Sequence, residues 1–378
     1  MVKIIYFTTA QDNNRYPEYL SFWNISPNLS NQNFHNKLIR ALSLSHEMEV
    51  ISIRPINKSF KLKELKEDTF KEGNITWKYV RVKNSKIDKF LNLSKRINNV
   101  LEEKYDESTV VFVDILNLTL VKNAYKTAKK HNLKIYGICT DNPLNISFTN
   151  HRYNEKLVQL VKSFDGYISL TKQIDELFND GKPSAIIDGV TEEIRAVDKP
   201  NIDGKYIYFG GSLMHEYGLF NLIDAFKEIS DKNIKLVIAG HHEPNDFKNF
   251  IKDNNKIVYV GALPYQEVVK YEAHALCCVN PRPINPKIDN YSIPSKTLEY
   301  LAAGAITITV NNNLLNKKYK DCIIWAKTGD KEDLLKSLNK VINLTKKERE
   351  ALSLLSKNTV RRFTSFENIN KLIDNSLF

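Results

Sequence analysis

Short apolar runs alternate with helical patterns along almost the whole chain. Strand-like runs fall at Lys3–Thr8, Glu49–Ile53, Thr109–Val113, Lys134–Cys139, Gly166–Ser169 and Ser184–Asp188. Between them stand patterns such as "NFHNKLIRALSLS" and "NLTLVKNAYKTAKKHN", whose apolar positions recur at helical spacing. At "IYFGG" (207–211) the alternation restarts. It continues as helix "GLFNLIDAFKEI", strand "IKLVIAG", a helix near 246–252, "KIVYVG", helix "YQEVVKYEAHA", "LCCVNP", a further helix and "AITITV". Strands this short, without strict alternation and separated by helices, indicate parallel sheets covered on both faces. The polar stretch "AVDKPNIDGK" (196–205) holds proline and glycine and fits a linker. The pattern thus predicts an α/β chain with two doubly wound, Rossmann-like domains, 1–195 and 196–360. The last helical segment, 361–378, is expected to cross back to the first domain.

In open parallel sheets, ligands sit outside the carboxyl ends of strands, against helix N-termini. Two such domains facing across a cleft direct attention to residues just after strands. The stretch "DNYSIPSKTLEYLAAGAITITV" (289–310) is the most informative. Pro294 suits a first helical turn, where its missing N–H costs nothing. The amides of Ser295, Lys296 and Thr297 then fall among the unpaired donors of that turn, an anion site for which phosphate is the usual guest. Lys296 adds a full charge. Leu298, Leu301 and Ala302 form the buried stripe, and Gly304 ends the helix. Glu299, one turn in and off that stripe, suits vicinal hydroxyls such as those of a ribose. A glutamate that merely complements the helix dipole beside a solvated lysine is the competing reading.

Composition narrows the class. At 378 residues, 42% apolar and 26% charged, the chain has the make-up of an ordinary globular protein. No apolar run approaches the roughly 20 residues a membrane span needs. The four cysteines lack metal-ligand spacing and read as buried free thiols in a reducing cytoplasm. Net charge is +11, with 14 Lys/Arg against 7 Asp/Glu between Arg54 and Lys104. Such an excess attracts anionic partners, or is simply a solvated basic face. Nucleic acid is not expected, because aromatics are not interleaved with the basic run and no known module appears.

The segment "YSIPSKTLEYLAAGAITITV" resembles the donor site of GT-B fold glycosyltransferases related to glycosyltransferase family 4, of the bacterial polysaccharide or glycoconjugate type, in a PSK-x-x-E variant. "YFGGSLMHEYGLFNLIDAFKEI", "LVIAG" and "IVYVGALPYQEVVKYEAHALCCVNPRP" resemble the neighbouring segments of that family's C-terminal domain. "NFHNKLIRALSLSHEMEVISIRP", "VFVDILNLTLVKNAYKTAKKHNLKIYGICTDNP" and "FDGYISLTKQIDELFND" resemble N-terminal segments. The resemblance implies a GT-B architecture, with an acceptor-binding N-terminal domain and a nucleotide-sugar-binding C-terminal one. It implies donor binding by Gly210, Gly211, Ser212 and the run Tyr291, Ser292, Ile293, Pro294, Ser295, Lys296 and Glu299. There are departures. Many relatives carry two glutamates eight positions apart, and here the first position is Tyr291. Many hold the diphosphate with an arginine and a lysine, at positions matched here by Ser212 and Tyr217. Arg282 and Lys296 are the expected local substitutes, since a guanidinium can hold phosphate oxygens bidentately.

The expected reaction moves a sugar from a nucleotide sugar, a UDP-sugar first, to a glycan or lipid-diphosphate-linked acceptor. Negative charge grows on the leaving diphosphate, and preorganised donors aimed at it are what catalysis requires. No metal and no cofactor are expected, and the resemblance implies retention of configuration. Asp141 in "CTDNP" and His35 in "NQNFHNKL" are the candidate catalytic groups, although an Asp-Asn-Pro turn accounts equally for the first and a half-buried structural histidine for the second. Asn33, Asp114 and Asn117 are candidate acceptor contacts. His241 and His242 read as a surface loop pair. "SKIDKFLNLSKRINNVLEEKY" (85–105) places Ile87, Phe90, Leu91, Ser94 and Ile97 on one stripe among Lys86, Lys89, Lys95 and Arg96. That face fits either a core helix or a peripheral contact with anionic membrane at the cytoplasmic leaflet. A non-catalytic sugar-nucleotide-binding subunit is the alternative function.

Overall fold

A computed structural model describes residues 1–24, 29–145, 151–194 and 196–378. The chain divides into two compact units, Met1–Val190 with Thr364–Phe378, and Thr191–Phe363.

In the first unit, the strands are β1 (Lys3–Thr8), β2 (Glu47–Ser52), β3 (Glu64–Leu65), β4 (Asp68–Glu72), β5 (Ile75–Tyr79), β6 (Val82–Lys83), β7 (Val110–Asp114), β8 (Lys134–Cys139), β9 (Gly166–Ser169) and β10 (Ser184–Ile186). The helices are α1 (Tyr16–Ser21), α2 (Leu29–Leu42), α3 (Lys86–Val100), α4 (Leu118–His131), α5 (His151–Val161) and α6 (Lys172–Phe178). Eight strands form one sheet in the order β10-β9-β8-β7-β1-β2-β5-β4. All neighbours run parallel except β4, which pairs antiparallel with β5. Gly73, at φ +57, turns the chain between β4 and β5. Strands β1, β7 and β8 are buried along nearly their whole length, which is why their sequences are unbroken apolar runs.

In the second unit, β11 (Lys205–Ser212), β12 (Ile234–His241), β13 (Ile257–Tyr259), β14 (Cys277–Asn280), β15 (Thr307–Val310) and β16 (Ile323–Ala326) form an all-parallel sheet ordered β13-β12-β11-β14-β15-β16. Its helices are α7 (Leu219–Lys227), α8 (Phe247–Ile251), α9 (Tyr265–His274), α10 (Pro286–Asp289), α11 (Ser295–Ala303), α12 (Asn313–Tyr319) and α13 (Lys331–Ile342). Helix α14 (Lys346–Thr364) follows, with Arg349 donating to the carbonyls of Val341, Ile342 and Leu344 at the end of α13.

The last helix, α15 (Phe366–Leu377), packs in the first unit. Ile369, Ile373 and Leu377 enter the core beside Leu38, Leu42 and Ile75. Tyr136 Oη donates to Leu377 O at 3.1 Å, and His46 Nε2 meets Asp374 Oδ1 at 2.7 Å. All four cysteines are free and buried. Among the described residues, no helix is long and apolar enough to cross a membrane.

Each sheet has one place where strand order reverses. In the first it lies between β1 and β7, and in the second between β11 and β14. Connections leave such a pair toward opposite faces, which opens a crevice at the carboxyl ends.

Candidate functional site

In the second unit, β11 ends in Gly210, Gly211 and Ser212, with Gly211 paired to Gly240 and Ser212 to His241 on β12. Opposite stands the start of α11. Asn280, at the end of β14, donates through Nδ2 to Thr297 Oγ1 at 3.1 Å and fixes that start. Pro294 occupies the N-cap, so no side-chain cap consumes the first amides. The amide of Thr297 is an exception to the sequence expectation: it donates to Pro294 O at 3.0 Å in a tight first turn. The stripe also differs. Ala302 is only half-buried, while Thr297, Tyr300 and Ala303 are buried, because α11 packs against α9 as well as the sheet.

Lys296 does not reach out to solvent. It is half-buried, and its amine turns back to donate to Gly210 O. Gly211 makes this possible, since a Cβ there would run into the amine. Gly210 carries a similar constraint: a Cβ would lie 2.9 Å from the Tyr208 hydroxyl. Tyr300 Oη accepts from Gly210 N at 3.1 Å, so the strand end is held from below by one tyrosine and one lysine. Burial pushes the Lys296 amine down to about 8, against the opposing pull of Glu299 and of Glu272 on α9. His241 sits close enough to feel this charge. Burial lowers its imidazole to about 4, helped by His242 and then Lys296, and keeps it neutral above that pH. The Ser212 hydroxyl is buried with no hydrogen-bond partner among the described residues. At the switch point, then, an uncapped helix start, an enclosed amine, an orphan hydroxyl and a neutral imidazole come together.

Arg282 has another occupation. Its guanidinium meets Asp289 at 2.5 Å, and Asp289 also accepts from the amide of Asn285 at 2.6 Å. It is thus bound in the loop between β14 and α11. Tyr291, Ser292 and Pro294 are half-buried, Ile293 is buried, Ser295 is exposed and Glu299 is half-buried.

In the first unit, the switch point gathers a different chemistry. Asp114 ends β7 and is buried. Its Oδ2 accepts from Asn31 Nδ2 at 3.0 Å, and its Oδ1 from the amide of Leu116 at 3.0 Å. His35 is fully buried, with Nδ1 2.6 Å from Tyr6 Oη and Nε2 3.4 Å from Asp114 Oδ2. Asn31, not Asn33, is the asparagine that reaches this carboxylate, because the two lie on different sides of α2. Asn117 is used locally: its Oδ1 caps α4, accepting from the amides of Thr119 and Leu120. Asp141 lies just past β8 and keeps an exposed surface. Surrounding protein still pushes its carboxyl up to about 6, by desolvation first and Asp114 second, effects that water on the open side softens.

On α3, the expected stripe divides. Ile97 is buried together with Leu93, whereas Ile87 is 73% and Leu91 65% exposed. Lys89 donates to Ile56 O, and Arg96 forms a two-pronged pair with Asp88 at 2.7 and 2.8 Å, so these cations serve the unit itself. The Phe90 side chain lies outside the described residues. Among the described residues, no cluster of three or more His, Cys, Asp or Glu is placed to hold a metal ion.

Residues 190–358 match the family model of glycosyl transferases group 1. No curated protein matches the chain in sequence. Among solved structures, the chain is similar to sucrose-phosphate synthase from Thermosynechococcus elongatus, with 11% identity, 99% of this chain and 98% of that one covered, and a TM-score of 0.69. It is similar to the apo structure of OtsA, with 11% identity, coverage of 99% and 98%, and a TM-score of 0.65. Anabaena Alr3699/HepE in complex with UDP-glucose gives 11% identity, coverage of 100% and 99%, and a TM-score of 0.64. The fold is that of the GT-B glycosyltransferases over essentially the whole chain.

Proposed function

We propose that the protein is a glycosyltransferase that moves a sugar from a nucleotide sugar, a UDP-sugar, to a glycan or lipid-linked acceptor. The observation that supports this reading is the meeting, at the end of β11 and the start of α11, of Lys296, the buried unpartnered Ser212 hydroxyl and uncapped amides, a donor set suited to a diphosphate. The family match over residues 190–358 and the likeness to Alr3699/HepE, which was solved with UDP and UDP-glucose, support it. Lys296 and the helix dipole would stabilise the charge growing on the leaving diphosphate, without a metal. Glu299 would hold the ribose, and Tyr291 to Ser295 would line the approach. Asp141, with the buried Asp114 behind it, would address the acceptor at the carboxyl edge of the first sheet. Retention follows from the family resemblance, with the leaving phosphate taking the acceptor proton.

Calorimetric titration with UDP-, GDP- and dTDP-sugars tests the reading. Binding of one sugar nucleotide, followed by its hydrolysis or transfer, supports it, and the absence of binding to all three overturns it. Because Arg282 is bound to Asp289, a non-catalytic nucleotide-binding subunit is the second reading, separated from the first by donor turnover. The exposed Ile87 and Leu91, flanked by Lys86 and Lys95, suit a peripheral contact with the cytoplasmic leaflet. Sedimentation with liposomes that ignores anionic lipid and salt would remove that part of the proposal.

A further inference from the structure

The layer beneath the end of β11 encloses a carboxylate that none of the roles above uses. Glu272, on α9, is only 2% exposed. Carboxylates are almost never enclosed this far unless a cation or several donors face them. Helix α9 packs against both α11 and β11. Tyr271 beside Glu272 stacks on Tyr208 of β11 at 5.8 Å between centroids, and Tyr300 of α11 meets Tyr208 edge-on at 6.3 Å. The Cys278 thiol of β14 lies 3.7 Å from the Glu272 carbonyl oxygen.

The neighbours of this carboxylate leave it one cation to face. Burial first and Glu272 second raise the Tyr208 hydroxyl and the Cys278 thiol well above their usual ranges. Burial, then Cys278 and Glu272, do the same to Tyr300. All three therefore stay protonated. His241, at the end of β12, is neutral above about 4. Lys296 remains as the cation within reach of Glu272, and Glu299 is the other carboxylate acting on its amine. The two carboxylates differ in freedom. Glu299 is half-buried on the amine's own helix and is assigned to the ribose, whereas Glu272 is fixed inside the layer. Lys296 joins that layer to the strand end. Its amine donates to Gly210 O, Tyr300 Oη accepts from Gly210 N at 3.1 Å, and Tyr208 Oη stands 2.9 Å from the place a Cβ on Gly210 would take.

We propose that Glu272 is a positioning residue for the donor diphosphate: it is the fixed counter-charge that keeps Lys296 cationic at the end of β11 while the site is empty. An enclosed amine without such a partner loses its proton instead. With it, the ammonium is formed and placed before the diphosphate arrives, which is the preorganisation that stabilising a leaving group requires. The word donor rests on the transferase reading; the pairing of Glu272 with Lys296 does not.

In the full chain carrying 13C-labelled lysine, the Lys296 signal, recognised by its loss in K296M, is followed by NMR against pH without ligand. The parent amine titrates at about 8, and in E272Q and E272M it titrates lower. Unchanged titration in both variants overturns the proposal. E272M fills the space with an apolar chain and guards against misfolding of E272Q, and thermal melting checks both. UDP calorimetry gives the second readout. At pH 7.5 each variant binds UDP about three- to tenfold more weakly than the parent. At pH 5.5 the amine is charged in all three, and the difference closes or reverses, since Glu272 itself repels a diphosphate. A loss that is equal at both pH values reports disturbed packing and overturns the proposal. On a K296R background, where the guanidinium stays charged, E272Q has no pH-dependent effect. If UDP does not bind even to the parent, the transferase reading fails while the NMR titration still decides the pairing.

Discussion

Replacing Lys296 with Met keeps the length and apolar stem of the side chain and removes only the amine. Two effects of the change can be separated. For the folded protein, the lost hydrogen bond leaves Gly210 O with Tyr300 Oη at 3.4 Å, while the cost of enclosing a charge, seen in an amine lowered to about 8, disappears. A charge-assisted hydrogen bond contributes about 1.5–3 kcal/mol and an enclosed charge costs a comparable amount, so stability at pH 7 should change by about 1 kcal/mol or less. For a bound diphosphate nothing compensates. An ammonium about 4 Å from a phosphate charge contributes about 4 kcal/mol at an effective dielectric of about 20, reduced by its own desolvation. A net loss of about 1.5–3 kcal/mol corresponds to UDP affinity falling about 10- to 150-fold.

Acidity supplies a second, independent readout of the same group. The folded amine titrates below the ordinary 10.5, so folding releases a proton between about 8 and 10.5, and this residue's contribution to stability rises with pH through that window. UDP binding runs the other way. It favours the ammonium, so affinity in the parent should fall as pH climbs above about 8, with proton uptake visible as a buffer-dependent heat. K296R, charged at every accessible pH, should be flat over the same range even if its fork fits less well. Calorimetry with UDP from pH 6.5 to 9.5 makes the measurement. Equal affinity of K296M and parent at pH 7, together with a flat parent profile, would refute the anion site and leave Lys296 as a strut under β11.

Glu299→Ala should weaken UDP about tenfold while leaving inorganic diphosphate unaffected, since only the former presents a ribose; competition titration compares the two. Under the acceptor-side reading of Asp141, transfer by the parent should fall as pH drops through about 6, where its carboxyl protonates, and D141N should be slow with that limb gone. The raised pKa also means that Asp141 favours folding on the acid side and that its contribution declines as pH rises from the ordinary carboxylate value to about 6. Ile373→Ala in α15 should cost about 2–5 kcal/mol in urea unfolding, because Ile373 is fully buried in the first unit's core.

Most strands were legible because buried parallel strands are written as continuous apolar runs, from "KIIYFT" to "TITV". The hairpin β4–β5 was not. Ile75, Trp77 and Tyr79 do alternate inward, but they stand among lysines in a stretch that reads first as a basic face. β16 is a run of only four residues, "IIWA", and offers little pattern. At the site, Pro294 and Glu299 were readable from helix-start chemistry, whereas the inward turn of Lys296 depends on the missing Cβ of Gly211, 85 positions earlier. Asn117 could have been assigned as a cap from its place before a helical run. His241 does not belong to a surface loop pair as its sequence suggested: it ends β12 half-buried, and its nearness to Lys296 is a property of the sheet register.

The buried triad of Tyr6, His35 and Asp114 bears on how protons could move at the first unit's edge. Burial and Asp114 raise the Tyr6 hydroxyl well above its usual range, so it stays protonated and donates to His35 Nδ1. The imidazole proton then sits on Nε2, facing Asp114. Burial also lowers His35, against the opposing effect of Asp114, which favours the neutral ring, and its Nε2 makes no hydrogen bond among the described residues. The ring is fully buried, and the Asp114 carboxylate is held by Asn31 and the Leu116 amide. Asp114 in turn raises Asp141, the one member of the group with open surface. Under the proposed transfer, Asp141 is the member of this group open to an incoming hydroxyl, its carboxyl raised by desolvation first and by Asp114 second.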